Sequence, residues 1–498
     1  MLYGFYATVC YSTLSLKYLL GTIMKLASVN LNDTEYQLSS GDEDKTNTFT
    51  IIIGKNGTGK SRLLTKIANT LLKAKRYSQN HSRLKHKKVQ EMTFKSEDRI
   101  ITINSAKGKG GRILERNKRT REHMCKKLIV ASISPFDKFP LPEQNLSNRN
   151  SKSFYNYVGF KTDKNSLSDR NLLTRFATSI VSSRSNIAVK RTLRLLGYKS
   201  DISIRFKHNS DRYFRTSNYL NNNLTFSEIV LNNKELYSKV LHDNNYLMSK
   251  LILEELSLDS NTRIGKKTIN DLIGSENLPE SYSTSNELDD KLRSSLIRSL
   301  ELNISEVSSI TLRKIGSNDN LTLNDASSGE RSLLLLVCSI ASQISNDSVI
   351  LIDEPEISLH PEWQETFIDL ISKAFEHYQR CHFIIATHSP LVISNLPKED
   401  CYILNMDSNT TVGSEEYFNK SADFQLAKLF NTPGFQNEYL NRLCVSILSD
   451  FSEGKIISEK QKNNIEFLIS IQNELDERDT VKSLIEIIKK TWEVSKSC

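Results

Sequence analysis

Phe49-Thr-Ile-Ile-Ile53 runs directly into Gly54-Lys-Asn-Gly-Thr-Gly-Lys60-Ser61, and a helical pattern follows from Arg62 to Lys73. A short β-branched run of this kind reads as a buried strand. Strand, GxxxxGKS and helix therefore stand in the order that a phosphate-binding loop requires. The glycines let backbone N–H groups turn inward around phosphate oxygens. The lysine of this pattern reaches β- and γ-phosphates and the serine after it holds Mg²⁺, which assigns those tasks to Lys60 and Ser61. Asn56, Gly57, Thr58, Gly59, Lys60, Ser61 and Arg62 are the nucleotide-binding candidates of the loop. The pattern points to a nucleotide and is silent on its use.

Two further apolar runs end in polar residues. Ser348-Val-Ile-Leu-Ile352 is followed by Asp353, Glu354 and Pro355. A strand buried on both faces reads as continuous apolar sequence, and acids at its C-terminal end lie at the ligand edge of a parallel sheet. Asp353 is expected to support Mg²⁺, and Glu354 to orient and deprotonate an attacking water. His382-Phe-Ile-Ile-Ala386 leads to Thr387, His388, Ser389 and Pro390. His388 is placed to hydrogen-bond a γ-phosphate and sense its loss. Between the loop and the acids lies Asn324-Asp-Ala-Ser327-Ser328-Gly329-Glu330-Arg331-Ser332, before an apolar helix from Leu333 to Ile344. Ser-Gly at a helix start offers unpaired N–H groups and a positive dipole end.

Together these elements resemble the ABC-type ATPase family, in its SMC-like/RecF/OLD branch. Residues 54–61 match Walker A, Ser327-Ser-Gly-Glu330 the signature, Val349 to Glu354 Walker B, and His388 the switch histidine. Pro355-Glu-Ile-Ser-Leu359-His360-Pro361 is similar to the D-loop of the soluble members. The resemblance implies an α/β fold: a P-loop ABC-type ATPase head with a helical insertion lobe and a helical C-terminal extension. It implies ATP and Mg²⁺ as cofactors, and a head-to-tail homodimer or higher oligomer with ATP sandwiched between protomers. Ser327, Ser328, Gly329 and Glu330 of one copy would meet the γ-phosphate held by Lys60 of another. Glu354, His388 and Lys60 would be the catalytic residues, and Ser61 and Asp353 the Mg²⁺ ligands.

One position departs from the family, which places a Gln after the strand that follows the Walker A region. Here Leu128-Ile-Val-Ala-Ser132 leads into Ile133-Ser134-Pro-Phe136-Asp137-Lys-Phe139-Pro140 without one. Two readings stand: Ser134 or Asp137 takes over the role, or the stretch is a plain loop packed by Phe136 and Phe139. Long coiled-coil arms need sustained heptads, and the 178 residues from Asn145 to Thr322 show mixed patterning. The 110 residues after His388 contain no DxD of a TOPRIM nuclease, and no HNH-like cluster is visible. The stretch Ser132-Ile-Ser-Pro-Phe-Asp-Lys-Phe-Pro140 and the compact helical insertion resemble the ATPase subunits of bacterial antiphage systems, most of all the Septu subunits (PtuA), including their retron-associated forms. That resemblance implies an HNH nuclease effector (PtuB-like) on another chain. In retron forms it also implies a reverse transcriptase with its RNA–DNA product. The competing expectations are a RecF-like DNA-repair clamp and a nucleotide-sensing scaffold that sequesters a toxin.

The chain has 498 residues, 38% of them hydrophobic and 25% charged, which excludes a polytopic membrane protein, a collagen and a mostly disordered chain. Its net charge of +9 is uneven: from Lys73 to Lys127 there are 18 Lys/Arg against 5 Asp/Glu, a net of +13 that leaves −4 for the rest. One basic cluster of Lys73, Lys75, Arg76, Arg83, Lys85, Lys87 and Lys88, and a second made of Lys107, Lys109 and Arg112 with Arg116 to Arg121, suit nucleic-acid phosphates more than bases, since few aromatics interleave. Seven cysteines (Cys10, Cys125, Cys338, Cys381, Cys401, Cys444 and Cys498) form no CxxC, which predicts small buried hydrophobes and a cytoplasmic location. The domain order expected is an appendage or upstream start over 1–23, an N-terminal half-head over 24–144, a mostly helical insertion lobe over 145–322, a C-terminal half-head over 323–407 and a helical extension over 408–498.

Overall fold

The computed structural model describes residues 25–31, 34–39, 46–80, 91–96, 99–104, 113–115, 125–134, 137–140, 154–159, 169–182, 187–208, 279–286, 288–301, 305–316, 320–323, 325–357, 359–455 and 457–497. The chain divides into two compact units. One comprises Met1–Lys126, Asn346–Ser372 and Tyr378–Cys498, the other Lys127–Ser345 and Lys373–His377.

The first unit is organised by the phosphate-loop strand. Thr48–Ile53, Ser348–Asp353 and His382–Ala386 are buried at every position, as strands covered on both faces must be. Thr48–Ile53 sits between two parallel neighbours, His382–Ala386 and Cys401–Asn405. Ser348–Asp353 pairs in parallel with His382–Ala386 on its far side. Thr410–Gly413 closes the opposite edge, antiparallel to Cys401–Asn405. The register aligns Ala386 with both Ile52 and Asp353, and Asn405 with Ile53. The C-terminal ends of four strands therefore share one edge. The helix Lys60–Asn80 buries Leu63, Leu64, Ile67, Ala68 and Leu71, a stripe at helical spacing, against this sheet.

This unit also holds a five-stranded antiparallel sheet in the order Thr34–Gln37, Lys25–Leu31, Glu91–Ser96, Arg99–Asn104, Ile113–Glu115. The stretch read as a basic run thus contains a β-hairpin, with Ser96 opposite Arg99. Toward the C-terminus the helices Ala422–Lys428, Glu438–Ser452, Glu459–Ile471 and Thr480–Ser497 share a core of their own, centred on Leu440, Cys444, Ile465, Leu468, Ile485 and Trp492. The extension expected to be helical from 408 begins instead with the sheet strand Thr410–Gly413.

The second unit contains the parallel pair Lys127–Ser132 and Tyr155–Gly159. It also contains an antiparallel sheet in the order Ser281–Ser283, Ser203–His208, Ser305–Arg313, Asn320–Thr322. The helices Asp169–Ser182, Ile187–Leu195, Asp290–Glu301 and Ser328–Gln343 pack with them. The described residues of the lobe expected to be mostly helical over 145–322 hold, beside helices, strands that the sequence pattern does not announce. The reason lies in Ser305–Arg313, where a register shift between Val307 and Ser309 moves the buried side from Ser305 and Val307 to Ile310 and Leu312. A bulge of this kind erases the period-two pattern from which a strand is read. Lys73, Lys75 and Arg76 of the first basic cluster lie on the helix Lys60–Asn80, while residues 1–23, the rest of that cluster at 83–88, the second at 107–112 and 116–121, the linker at 141–152 and the helical pattern from Glu228 to Leu256 lie outside the described residues. Cys125, Cys338, Cys381, Cys401 and Cys444 are buried and form no disulfide among the described residues. Among the described residues no helix is long and apolar enough to cross a membrane.

Candidate functional site

The loop between Ile53 and Lys60 is shaped by its glycines. Gly54, Gly57 and Gly59 have φ of 152°, 85° and 102°, values that L side chains rarely adopt. At Gly54 a Cβ would lie 3.0 Å from Thr58 Oγ1, so the position is closed to larger residues. The helix that follows starts with Lys60, Ser61 and Arg62 and has no acid in its first turn. Its first N–H groups have no intrahelical partners, and two cations sit at the positive end of its dipole. Such a helix start is a ready site for an anion.

Lys60 is 4% exposed. Its ammonium donates to Gly54 O at 2.7 Å and Lys55 O at 3.1 Å, and stands 3.1 Å from His388 Nδ1. Burial pushes the Lys60 pKa below its ordinary value, against the opposing pull of Asp407, Glu354, Glu356 and Asp353. An ammonium can only donate, so Nδ1 of His388 accepts. The neutral imidazole then carries its proton on Nε2, which lies 3.6 Å from Glu354 Oε1. Burial and the Lys60 charge hold the His388 pKa below its ordinary value, which keeps the ring neutral.

Asp353 ends its strand buried, and Ser61 Oγ donates to its Oδ1 at 3.1 Å. Two hard oxygen donors side by side, beside a loop built for phosphate, fit a small divalent cation. Glu354 follows with φ 49°, a left-handed conformation for a non-glycine residue. Its N–H donates to Ala386 O at 2.9 Å. This strained backbone, of order 1–3 kcal/mol, turns the Glu354 carboxylate away from the strand line and toward His388. Lys60, Ser61, Asp353, Glu354 and His388, singled out separately in the sequence, are thus brought together at one sheet edge.

Two neighbours escaped the sequence reading. Glu356 accepts the His388 N–H at 2.6 Å, and burial raises its pKa. Asp407 accepts the Lys55 N–H at 2.9 Å, and its own N–H donates to Asn405 Oδ1 at 2.9 Å. The signal for Asp407 was present: Cys401–Asn405 is another apolar strand that ends in polar residues, as the acid- and histidine-bearing strands do.

Residues 327–330 belong to the second unit. Ser327 caps the Ser328–Gln343 helix in a reciprocal capping box with Glu330. Glu330 N–H donates to Ser327 Oγ at 3.2 Å, and Ser327 N–H donates to Glu330 Oε2 at 3.1 Å. Tyr198 Oη donates to Glu330 Oε1 at 3.3 Å, and burial with the Glu330 charge pushes the phenol up to about 12. Ser327 and Ser328 are exposed, while Gly329 is buried. At the departure from the family, Asp137 accepts from Phe139 N–H at 3.0 Å and from Tyr157 Oη. Its Oδ1 is engaged by its own loop and its Oδ2 by Tyr157 of the strand Tyr155–Gly159, and Phe139 is fully packed.

A family described as AAA domain, putative AbiEii toxin, Type IV TA system, matches residues 126–394, more than half of the chain. The chain belongs to this AAA-domain family. Over 116 residues it is 32% identical to the Retron Vc95 probable ATPase of Vibrio cholerae serotype O1 biovar El Tor, covering 21% of this chain and 22% of that protein. Over 99 residues it is 30% identical to the Retron Ec83 probable ATPase of Escherichia coli, covering 18% of each. Protein ea59 of Escherichia phage lambda is 35% identical over 72 residues, 14% of each chain. The chain thus spans about a fifth of the length of the two retron relatives. A solved Smc head domain of Pyrococcus furiosus superposes with a TM-score of 0.32 at 14% identity, over 79% of this chain and 98% of that one.

Proposed function

We propose that the chain is a retron-type ATPase that binds and hydrolyses ATP with Mg²⁺, closes as a homodimer or higher oligomer around the nucleotide, and through that closure controls a partner nuclease in antiphage defence. The observation that carries the reading is the convergence of Lys60, Ser61, Asp353, Glu354 and His388 at one strand-end edge. Membership of an AAA-domain family and the two relatives named retron probable ATPases support it.

In this reading the N–H groups of residues 56–62 cradle the phosphates, and Lys60 exchanges its loop carbonyls for β- and γ-phosphate oxygens. Ser61 and Asp353 would hold Mg²⁺, which when bound neutralises phosphate charge. Glu354 takes the proton of the attacking water. His388, held by Lys60 on one nitrogen and facing Glu354 with the other, couples the γ-phosphate to the base. Ser328 and Gly329 of a second copy approach the same γ-phosphate with the free N–H groups of their helix start. Loss of the γ-phosphate removes the contact that distinguishes closed from open. An HNH nuclease of PtuB type is the expected effector, and a retron reverse transcriptase with its RNA–DNA product a further partner. The basic residues from Lys73 to Lys127 would contact nucleic acid.

The test is Glu354→Gln in the full chain. Turnover should fall at least ~10²-fold while ATP binding persists and a closed assembly accumulates in light scattering. Unchanged turnover would remove Glu354 as the base and with it this reading.

A further inference from the structure

The second unit carries an open cavity of about 350 Å³ lined by Lys190, Arg194, Ser200, Asp201, Ser285 and Arg313. We propose that this cavity binds the phosphodiester backbone of a nucleic acid, through residues other than those of the phosphate loop and of the basic segment from Lys73 to Lys127.

Three cations meet one carboxylate, and that carboxylate is already used: Arg313 pairs with Asp201. Arg194 Nε donates to Ser200 Oγ at 2.9 Å. Among the described residues neither Lys190 nor Arg194 forms an ion pair. The two stand one turn apart on the helix Ile187–Leu195, where like charges repel unless an anion lies between them.

The cavity is also held in shape by backbone bonds. Lys199 N–H donates to Arg313 O at 2.7 Å and Ile315 N–H to Gly197 O at 2.9 Å. Thr284 N–H donates to Ile202 O at 3.0 Å, and Ile202 N–H returns to Thr284 Oγ1 at 2.9 Å. The turn after the helix, the Ser305–Arg313 strand end and the loop of Ser285 are therefore fixed relative to one another. Guanidinium groups offered from fixed backbone suit phosphate oxygens. The hydroxyls of Ser200 and Ser285 add short donors.

The lining also says what is not read. It contains no aromatic or aliphatic side chain on which a base could stack. A site of cations and hydroxyls, its one carboxylate held by Arg313, favours the backbone over the bases.

The experiment measures binding of a fluorescein-labelled 20-nucleotide DNA, single-stranded and duplex, to the full chain by anisotropy across a salt series. Lys190→Glu with Arg194→Glu should weaken binding at least tenfold at low salt. On duplex, the slope of log affinity against log salt should become shallower by about 0.9 for each phosphate that is no longer neutralised. Lys190→Gln with Arg194→Gln should fall between, and ATP hydrolysis without DNA should stay unchanged in both. Wild-type affinity and slope in the charge-reversed protein would overturn the proposal. Displacement of the DNA from this site by micromolar inorganic pyrophosphate would also overturn it, marking a free-polyphosphate site. Charge reversal of Lys85, Lys87 and Lys88 in a parallel protein separates this site from the basic segment, because loss there leaves the effect of Lys190 and Arg194 intact.

Discussion

The C-terminal edge of the phosphate-loop sheet is interlocked, whereas the start of the Ser328–Gln343 helix is open to solvent. At the sheet edge Lys60 is buried against two carbonyls and an imidazole, and Ser61 is bound to Asp353. At the helix start Glu330 and Ser327 satisfy one another, and Ser327 and Ser328 face outward. The first arrangement is assembled within the chain before any ligand arrives. The second leaves its donors for something that comes from outside. In the proposed function that difference serves a nucleotide shared between two copies.

The contrast is broken most sharply by two substitutions that should fail differently. Lys60→Ala should abolish both ATP binding and ATP-dependent assembly. Ser328→Arg should leave ATP binding to the isolated chain within about twofold and abolish assembly, because an exposed first-turn residue disturbs no internal bond. Calorimetric ATP titration paired with light scattering checks both, and assembly that survives Ser328→Arg removes the helix start from the interface.

A smaller effect sharpens the comparison at the cap itself. Glu330→Ala removes half of the capping box and the acceptor of Tyr198. About 1 kcal/mol should be lost, a fall of about 2–4 °C in melting temperature for a unit of this size. ATP binding at the sheet edge should not change, and a change would mean that the two regions are coupled within one chain.

The smallest effect concerns pH. His388 is held neutral by burial and by Lys60, so the unfolded chain takes up a proton near pH 6.5 where the folded chain does not. Stability should therefore fall as pH drops through about 6.5, and level off only once the folded ring is also protonated. His388→Gln should flatten that part of the melting-temperature profile between pH 8 and pH 5.5. An identical slope in both proteins would place the imidazole elsewhere than against Lys60.

Much of the sheet edge was legible in the sequence because each contributor advertises itself in the same way, as an apolar run that stops at a polar residue. The strand expected to end at Ile53 does so, and those leading to Asp353 and His388 end at Asp353 and Ala386. Asp407 was overlooked because no familiar motif surrounds it, although its strand obeys the same rule. Glu356 was overlooked because its partner is a backbone N–H, which leaves no mark on side-chain spacing. The antiparallel sheet of the second unit was hidden by the bulge in Ser305–Arg313. The hairpin of Glu91–Ser96 and Arg99–Asn104 was hidden by the charge around it, which drew attention to the surface and away from alternation.

The parallel sheet has one further consequence, for the order of events on the ribosome. Both neighbours of Thr48–Ile53 come from the far end of the chain: Thr50 meets His382, 332 residues later. At about 5–20 residues per second, the innermost strand is extruded roughly 15–70 s before anything can flank it. Until then its two bare edges need shelter, and a prematurely released nascent fragment would keep them open to other chains.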